Sequence, residues 1–308
     1  MIQKKSKIAF IGLGNMGLPM AYNLFKSGYH LCCYDISEQA RDAAKSRSLN
    51  VVLSPGEALS HANVIFTMLP EGRHVAQCYL DHLFKHAQEG QIFIDCSTID
   101  LTTVKKLSQH ALKKNVSILD APVSGGITGA EKARLTIMVG GDKTVFKQVK
   151  PLLNAMGAKI IHCGYLGTGQ MAKICNNMML GIQMISVCEA FALARKLGLS
   201  DEKLFEVSSS SSGQCWSLTS YCPVPGQVES SPSNADYKAG FNASLMLKDL
   251  KLSQTAARDV AQKTSLAQHA LERYQAFVDQ GYANLDFSAI FKQIESDVEN
   301  NIKKSHDD

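Results

Sequence analysis

The chain has 308 residues, 45% hydrophobic and 19% charged, with nine cysteines and a net charge of +4. That length suggests about two domains, and the composition suits a globular protein with a sizeable core. No uninterrupted apolar run reaches ~18 residues, so no membrane span is expected. Lysines cluster only at the ends (Lys4, Lys5, Lys7; Lys303, Lys304), so no nucleic-acid patch is expected.

The opening MIQKKSKIAFIGLG has basic residues before an apolar run, as a signal peptide does. The run is short, turns glycine-rich and lacks a small-residue cleavage site, which argues against that reading. The cysteines are odd in number, lie mostly in apolar segments and show no CxxC or His/Cys ligand spacing. They read as free thiols in a reducing cytoplasm, with neither a disulfide framework nor a metal site.

Taken in chain order, the first half alternates. KIAFIG (7–12), HLCCYD (30–35), NVIFTML (63–69), QIFIDCS (91–97), VSILDAPV (116–123), LTIMVGG (135–141) and KIIHCG (159–164) read as strands. Amphipathic stretches such as ISEQARDAAKSR and TTVKKLSQHALKKN lie between most of them. Strands alternating with helices predict βαβ units and a mostly parallel sheet covered on both faces.

After Gly169 the alternation stops. Residues 170–198 read as one long helix, and further helical stretches follow in SDEKLFEVSSS, ASLMLKDLKLSQTAARDVA and SLAQHALERYQAFVDQG. The intervening SGQCWSLTSYCPVPGQVESSPSNADYKAGF holds three prolines and many small polar residues, and reads as a long loop. The expected domains are a dinucleotide-binding domain over 1–166, a linking helix over 167–197 and an all-α domain over 198–296. A polar tail over 297–308 is expected to fray.

GLGNMG (12–17) fits G-x-G-x-x-G where an apolar strand ends and a helix begins. In that setting the fingerprint predicts a Rossmann-type, doubly wound α/β domain. Gly12, Leu13, Gly14, Asn15, Met16 and Gly17 then face a pyrophosphate at a helix N-terminus. Asp35, at the end of the second strand, stands where an acid takes the ribose hydroxyls and repels a 2′-phosphate, which favours NAD over NADP. It could alternatively cap the next helix, a task Ser37 could do equally well. The later strand ends bring Leu69, Pro70, Ser97 and Thr98 to the same crevice. Thr98 could instead cap a helix.

Lys173 is the one charge in LGTGQMAKICNNMMLGIQMISVC, with Asn177 a turn later on the same face and Asn176 pointing elsewhere. From the helix alone, a snorkelling lysine and a catalytic acid/base are both open.

At this point the residues carry a resemblance. FIGLGNMGLPMAYNL (10–24) resembles the signature of the 3-hydroxyisobutyrate dehydrogenases, within the β-hydroxyacid dehydrogenases. The likeness continues through TMLPEGRHV, IDCSTI, DAPVSGG, GTGQMAKICNNMMLG, SSGQCWSL, YCPVPG, FNASLMLKDLKL and LDFSAI, to about residue 294.

The resemblance implies a cofactor domain, a long linking helix and a helical C-terminal domain that completes a substrate cleft, in a homodimer or homotetramer. It makes Lys173 the acid/base, with Asn177 orienting it or binding the substrate hydroxyl. Ser124, Gly125 and Gly126 bind the substrate carboxylate. Lys248 lies near the cofactor, with Asp249 beside it, and Trp216 lines the substrate pocket. The implied reaction converts 3-hydroxyisobutyrate to methylmalonate semialdehyde with NAD, a step of valine breakdown.

Burial in an apolar helix and a nearby cationic ring both favour a neutral, proton-accepting lysine. Semialdehyde reductases for tartronate, succinic or glyoxylic semialdehyde, usually with NADPH, are the alternative. A non-catalytic NAD-binding sensor is a remoter one, and the three-glycine fingerprint disfavours a methyltransferase. One departure stands out: where the family pattern reads GAxxGTL, this chain has Ala133 and Arg134 in place of Gly-Thr.

Overall fold

The structure is a computed structural model and describes residues 7–60 and 62–296. The expected fraying tail at 297–308, and the terminal lysines at 4, 5, 303 and 304, lie outside the described residues. The chain divides into two compact units, with the boundary between Lys173 and Ile174.

In the first unit the order is β1 (Lys7–Ile11), α1 (Gly17–Lys26), β2 (His30–Tyr34), α2 (Glu38–Lys45), α3 (Pro55–Leu59) and β3 (Val64–Thr67). Next come α4 (Gly72–Gln77), a π-helical turn (Cys78–Leu83), α5 (Phe84–His86), β4 (Ile92–Asp95) and α6 (Leu101–Lys113). Then follow β5 (Ser117–Asp120), β6 (Val123–Ser124), α7 (Gly126–Glu131), β7 (Leu135–Gly140), α8 (Lys143–Asn154) and β8 (Gly157–Gly164). The sheet order is β2-β1-β3-β4-β5-β7-β6, with β8 also paired to β7. Strands β2, β1, β3, β4 and β5 are parallel.

Every residue of β3 and β4 is buried. Successive side chains alternate between two cores, as the strand repeat of two requires. Ile8, Phe10, Val64, Phe66, Ile92 and Ile94 join one core, with Met20 and Leu24 of α1 and Val149 and Leu152 of α8. Ala9, Ile11, Ile65 and Phe93 join the other, with Val75, Tyr79, Leu83, Val104 and Leu107. Two dry faces are the mark of a doubly wound sheet.

The segment expected as one strand over 116–123 is broken between β5 and β6. Its register nevertheless continues: Asp120 opposes Gly140, Val123 opposes Ile137 and Ser124 opposes Thr136, all antiparallel to β7. Pro122 has no N–H to give to the ladder, and its carbonyl accepts from Met138 N instead (3.0 Å). The line therefore runs past the carboxyl edge of the parallel sheet, carrying Ser124 with it.

Helix α9 (Thr168–Lys196) is a single 29-residue helix that starts in the first unit and continues into the second. By length and composition it is apolar enough to cross a membrane, although Lys173 and the asparagines interrupt its apolar run. Half of its most apolar window is buried inside the protein, as in a core helix.

The second unit adds α10 (Asp201–Ser210), α11 (Trp216–Thr219), α12 (Ala243–Asp259) and α13 (Ser265–Phe277). Met184, Cys188 and Phe191 of α9 pack with Met246 and Leu250 of α12, Tyr274 and Phe277 of α13, and Phe287 and Phe291. Among the described residues of this unit, the β pairing is two isolated antiparallel bridges, Lys238–Leu285 and Asn242–Asp286. The proline-rich segment is an ordered loop holding α11 and a 3-10 turn (Pro232–Ala235). The buried Asp286 carboxylate gathers it, accepting from Tyr221 OH (2.8 Å), Gly240 N (3.0 Å) and Phe241 N (3.1 Å).

Candidate active site

The fingerprint turn joins β1 to α1. Gly12 has φ of 95°, and a Cβ there would meet Met68 O at 2.2 Å; one on Gly17 would meet Gly12 O at 1.9 Å. Gly12 and Gly17 are therefore glycine for the fold. Gly14 is different: nothing lies within 4 Å of its would-be Cβ, so the protein itself does not need glycine there. An open cradle at this position suits close backbone approach by a pyrophosphate. No side chain caps α1, whereas Ser37 caps α2, Asp100 caps α6 and Asp142 caps α8. The residues present fit a dinucleotide.

Asp35 is braced against this turn. Its Oδ2 accepts from Leu13 N (2.6 Å) and its Oδ1 from Ser37 N (2.7 Å). Ser37, not Asp35, receives the Ala40 amide that caps α2. Arg41 binds the backbone carbonyls of Asp35 (2.8 Å) and Ile36 (3.0 Å), so it is held by the chain.

Leu69 and Pro70 follow β3, and Thr98 follows β4, all beyond the carboxyl ends of parallel strands. Asp100, not Thr98, caps α6. The expectation that Ser97 touches cofactor is corrected. Ser97 is buried, its hydroxyl donates to Asp95 Oδ1 (2.6 Å) and it accepts from Leu69 N (2.8 Å). It supports the loop from inside.

Thr67 Oγ1 also donates to Asp95 Oδ1 (2.7 Å), and Tyr79 shares a hydrogen bond with Thr67 (3.0 Å). Burial pushes the Asp95 carboxyl up to about 6, against the pull of its Ser97 and Thr67 hydrogen bonds. Burial also raises Asp120, although it accepts from Gly167 N (2.6 Å) and Gln170 N (2.7 Å) at the start of α9. A Cβ on Gly169 would meet Met138 O at 2.3 Å and Asp120 Oδ2 at 2.7 Å, so glycine there lets the helix start press onto the strands.

Ser124, Gly125 and Gly126 lie where β6 turns into α7. Gly125 has φ of 136° and Gly126 of 62°, and no side chain caps α7. Asn23 of α1 donates to Ala130 O (2.6 Å), which ties this segment to the fingerprint helix. Lys173 is buried at 7% exposure. The first unit thus brings the fingerprint, Asp35, Leu69, Pro70, Thr98, Ser124 and Lys173 together along one edge of its sheet and the helix start beside it.

In the second unit, Asn177 is buried at 1% exposure, one turn along α9 from Lys173. Its Nδ2 donates to Asp249 Oδ2, and its Oδ1 accepts from Asn176 Nδ2 (3.0 Å). Asn176 was expected to point away; it instead fixes which end of the Asn177 amide is the donor. Lys248 lies 3.4 Å from Asp249 and is largely buried, so it is not part of a solvated helix face, whereas Lys251 is exposed. Trp216 is 48% exposed and stacks on Tyr221 at 4.8 Å.

Sequence reasoning missed Asp95, Asp120 and Gln170. All three lie inside quoted motifs, yet their partners are distant along the chain.

Family models match both parts of the chain. One, described as the NAD binding domain of 6-phosphogluconate dehydrogenase, covers residues 7–167. The other, described as NAD-binding of NADP-dependent 3-hydroxyisobutyrate dehydrogenase, covers 167–294. A probable 3-hydroxyisobutyrate dehydrogenase of Mycobacterium tuberculosis is 45% identical over 92% of this chain and 96% of its own length. An NAD-dependent L-serine dehydrogenase of Pseudomonas aeruginosa is 43% identical over 93% of this chain and 97% of its own. The solved Mycobacterium tuberculosis 3-hydroxyisobutyrate dehydrogenase with L-serine superposes with a TM-score of 0.90 at 43% identity, covering 94% of this chain and 99% of that one.

Proposed function

The chain belongs to the 3-hydroxyisobutyrate dehydrogenase family, and we infer that it oxidises 3-hydroxyisobutyrate to methylmalonate semialdehyde with NAD, Lys173 acting as general acid and base. The observation that carries the reading of Lys173 is its burial on a helix that also buries Asn177 a turn away. Lysine is almost never buried without a partner or a task.

NAD, when bound, supplies the hydride acceptor. Residues Gly12 to Gly17 hold its pyrophosphate and Asp35 its ribose, while Leu69, Pro70 and Thr98 complete its surroundings in the first unit. The Asp35 carboxylate, fixed by two amides, is a poor neighbour for a 2′-phosphate, which supports NAD over NADP.

The Ser124 hydroxyl and the N–H groups of Gly125 and Gly126 receive the substrate carboxylate. Neutral Lys173 accepts the hydroxyl proton as the carbonyl forms, and returns it in the reverse direction. Asn177, its amide held by Asp249 and Asn176, has one N–H left to orient the lysine or the substrate hydroxyl.

A second substrate deserves a place beside the first. L-Serine carries the same carboxylate and primary hydroxyl at the same spacing, with an ammonium where 3-hydroxyisobutyrate has a methyl. The relatives named for or solved with L-serine support testing it. The free cysteines fit a reducing cytoplasm, and the active species is a homodimer or homotetramer.

The test is absorbance at the NADH band with NAD or NADP. The substrates are 3-hydroxyisobutyrate, L-serine and the alcohols of the tartronate, succinic and glyoxylic series. Fastest turnover with NAD and 3-hydroxyisobutyrate, lost in a folded Lys173→Ala variant that still binds NAD, supports the reading. Preference for NADP overturns the role of Asp35. Faster turnover of L-serine moves the substrate. No turnover at all revives the sensor.

A further inference from the structure

Gln170 has no solvent exposure and sits in the first turn of α9, three residues before Lys173. Both ends of its side-chain amide are used, and on the same short loop. Nε2 donates to Ser97 O at 2.7 Å, and Oε1 accepts from Ile99 N at 3.1 Å. The amide therefore grips the backbone on either side of Thr98.

The grip continues both ways. Ser97 Oγ accepts from Leu69 N, which fastens the loop after β3. Gln170 N donates to Asp120 Oδ2, which fastens the start of α9 to the end of β5. Residues three apart on a helix share a face, so this one side chain ties the turn that presents Lys173 to the two loops assigned above to the cofactor.

We propose that Gln170 is a positioning residue that sets the distance between Lys173 and the cofactor-facing loop at Thr98. It touches no reacting atom; it acts through Thr98 and Lys173. The inference rests on the reading of Lys173 as acid/base.

Chemistry selects glutamine here. The loop offers one acceptor, Ser97 O, and one donor, Ile99 N. Only a side chain with a donor and an acceptor side by side answers both. Glutamate has the same shape. Ionised, it sets a carboxylate against Ser97 O. Protonated, it has an O–H for Ser97 O and an oxygen for Ile99 N, and both bonds return. The charged groups around it are Asp120 at the end of β5, Asp95 two residues before Ser97, Asp100 one residue after Ile99, and Lys173 on its own helix. Burial beside three carboxylates favours the protonated acid as pH falls, and Lys173 opposes it only where the amine is charged.

The experiment measures kcat and KM for NAD with 3-hydroxyisobutyrate, for wild type, Gln170→Glu and Gln170→Met, from about pH 5.5 to about pH 9. Misplacement on the scale of an ångström costs up to about a hundredfold in rate. We therefore expect both variants to lose roughly tenfold or more in kcat above neutrality. The Gln170→Glu deficit, taken as a ratio to wild type at each pH, should narrow as pH falls. Gln170→Met should show the same deficit throughout. Asp95 titrates in all three proteins, and the pH-independent Gln170→Met ratio is the control for it.

A ratio for Gln170→Glu that is flat with pH overturns the proposal, as does a wild-type kcat in Gln170→Met. If Gln170→Met does not fold, the isosteric Gln170→Glu decides alone. Activity surviving in Lys173→Ala would sink the acid/base reading itself. A dead Lys173→Ala beside wild-type-like Gln170 variants would sink only this inference.

Discussion

Replacing Ala133, one of the two departures from the family pattern, by glycine should stabilise the protein. Ala133 has φ of 53° and directly follows the residue that ends α7. Arg134 N donates to Gly129 O (2.8 Å) and Ala133 N to Ala130 O (3.3 Å), which is the double bond pattern of a Schellman cap. An L-residue in that left-handed well costs about 1–2 kcal/mol. Glycine's greater freedom in the unfolded chain gives back about 0.4–1 kcal/mol. The net gain for Ala133→Gly is then about 0.5–1 kcal/mol. Ala261 repeats the geometry after α12, with φ of 54°, Gln262 N to Ala257 O at 2.9 Å and Ala261 N to Arg258 O at 3.1 Å. Gly198 is the reverse case: it closes α9 with φ of 82° in open space, so Gly198→Ala should lose what the others gain. Thermal melts should show a rise of about 2 °C for each alanine variant and about twice that for the pair, since distant sites add. Turnover should stay at wild-type level in Ala133→Gly. If both alanine variants melt at or below wild type, the cap argument is wrong. If Ala133→Gly changes substrate preference, the residue acts in the site and not in the cap. Arg134 is exposed, and nothing in the structure explains it.

Two further outcomes follow from the first unit. Gly14→Ala should melt like wild type, because its methyl enters open space, yet bind NAD roughly tenfold or more weakly by fluorescence titration. Gly17→Ala, whose methyl would meet Gly12 O at 1.9 Å, should instead lose on the order of 1–3 kcal/mol of stability. Asp95 has its folded-state carboxyl raised from 3.8 to about 6, so the folded protein holds that proton more tightly than the unfolded chain. Its stabilising contribution is complete below about pH 4 and is lost as pH rises through about 6, a swing of roughly 3 kcal/mol. Urea unfolding should therefore show Asp95→Asn gaining on wild type by that order between about pH 4 and about pH 7. Parallel stability curves for the two proteins would refute it.

The expected strands were legible because each is a short β-branched run bounded by turns, and the fingerprint was legible because its glycines act on near neighbours. What could not be read depends on partners far along the chain. Gln170 meets residues 71 and 73 positions away, and Asp120 meets residues 47 and 50 positions away. No local periodicity reports such pairs. Asn176 escaped for a different reason. Helix spacing says where a side chain leaves the backbone, and the Asn176 amide reaches sideways to its neighbour. The break at Pro122 was visible as a proline, but its unbroken register could be read only from β7. The departure at Ala133 was visible as a sequence difference, but only its φ of 53° places it at the end of a helix.

The division between the two units falls inside α9, between Lys173 and Ile174, while the two family models meet at residue 167, just before that helix begins. For a lineage that exchanges segments, these are different seams. A crossover at the packing boundary would part Lys173 from Asn177 and join two half-helices of separate ancestry. A crossover at the glycine turn would pass the whole helix on intact. The six residues from Thr168 to Lys173 would then arrive with the second half of the gene but settle on the first. Asp120 and the Ser97–Ile99 backbone are what the newcomer would have to match, so grafts between members of this family should tolerate surface divergence far better than a change at position 120 or 170.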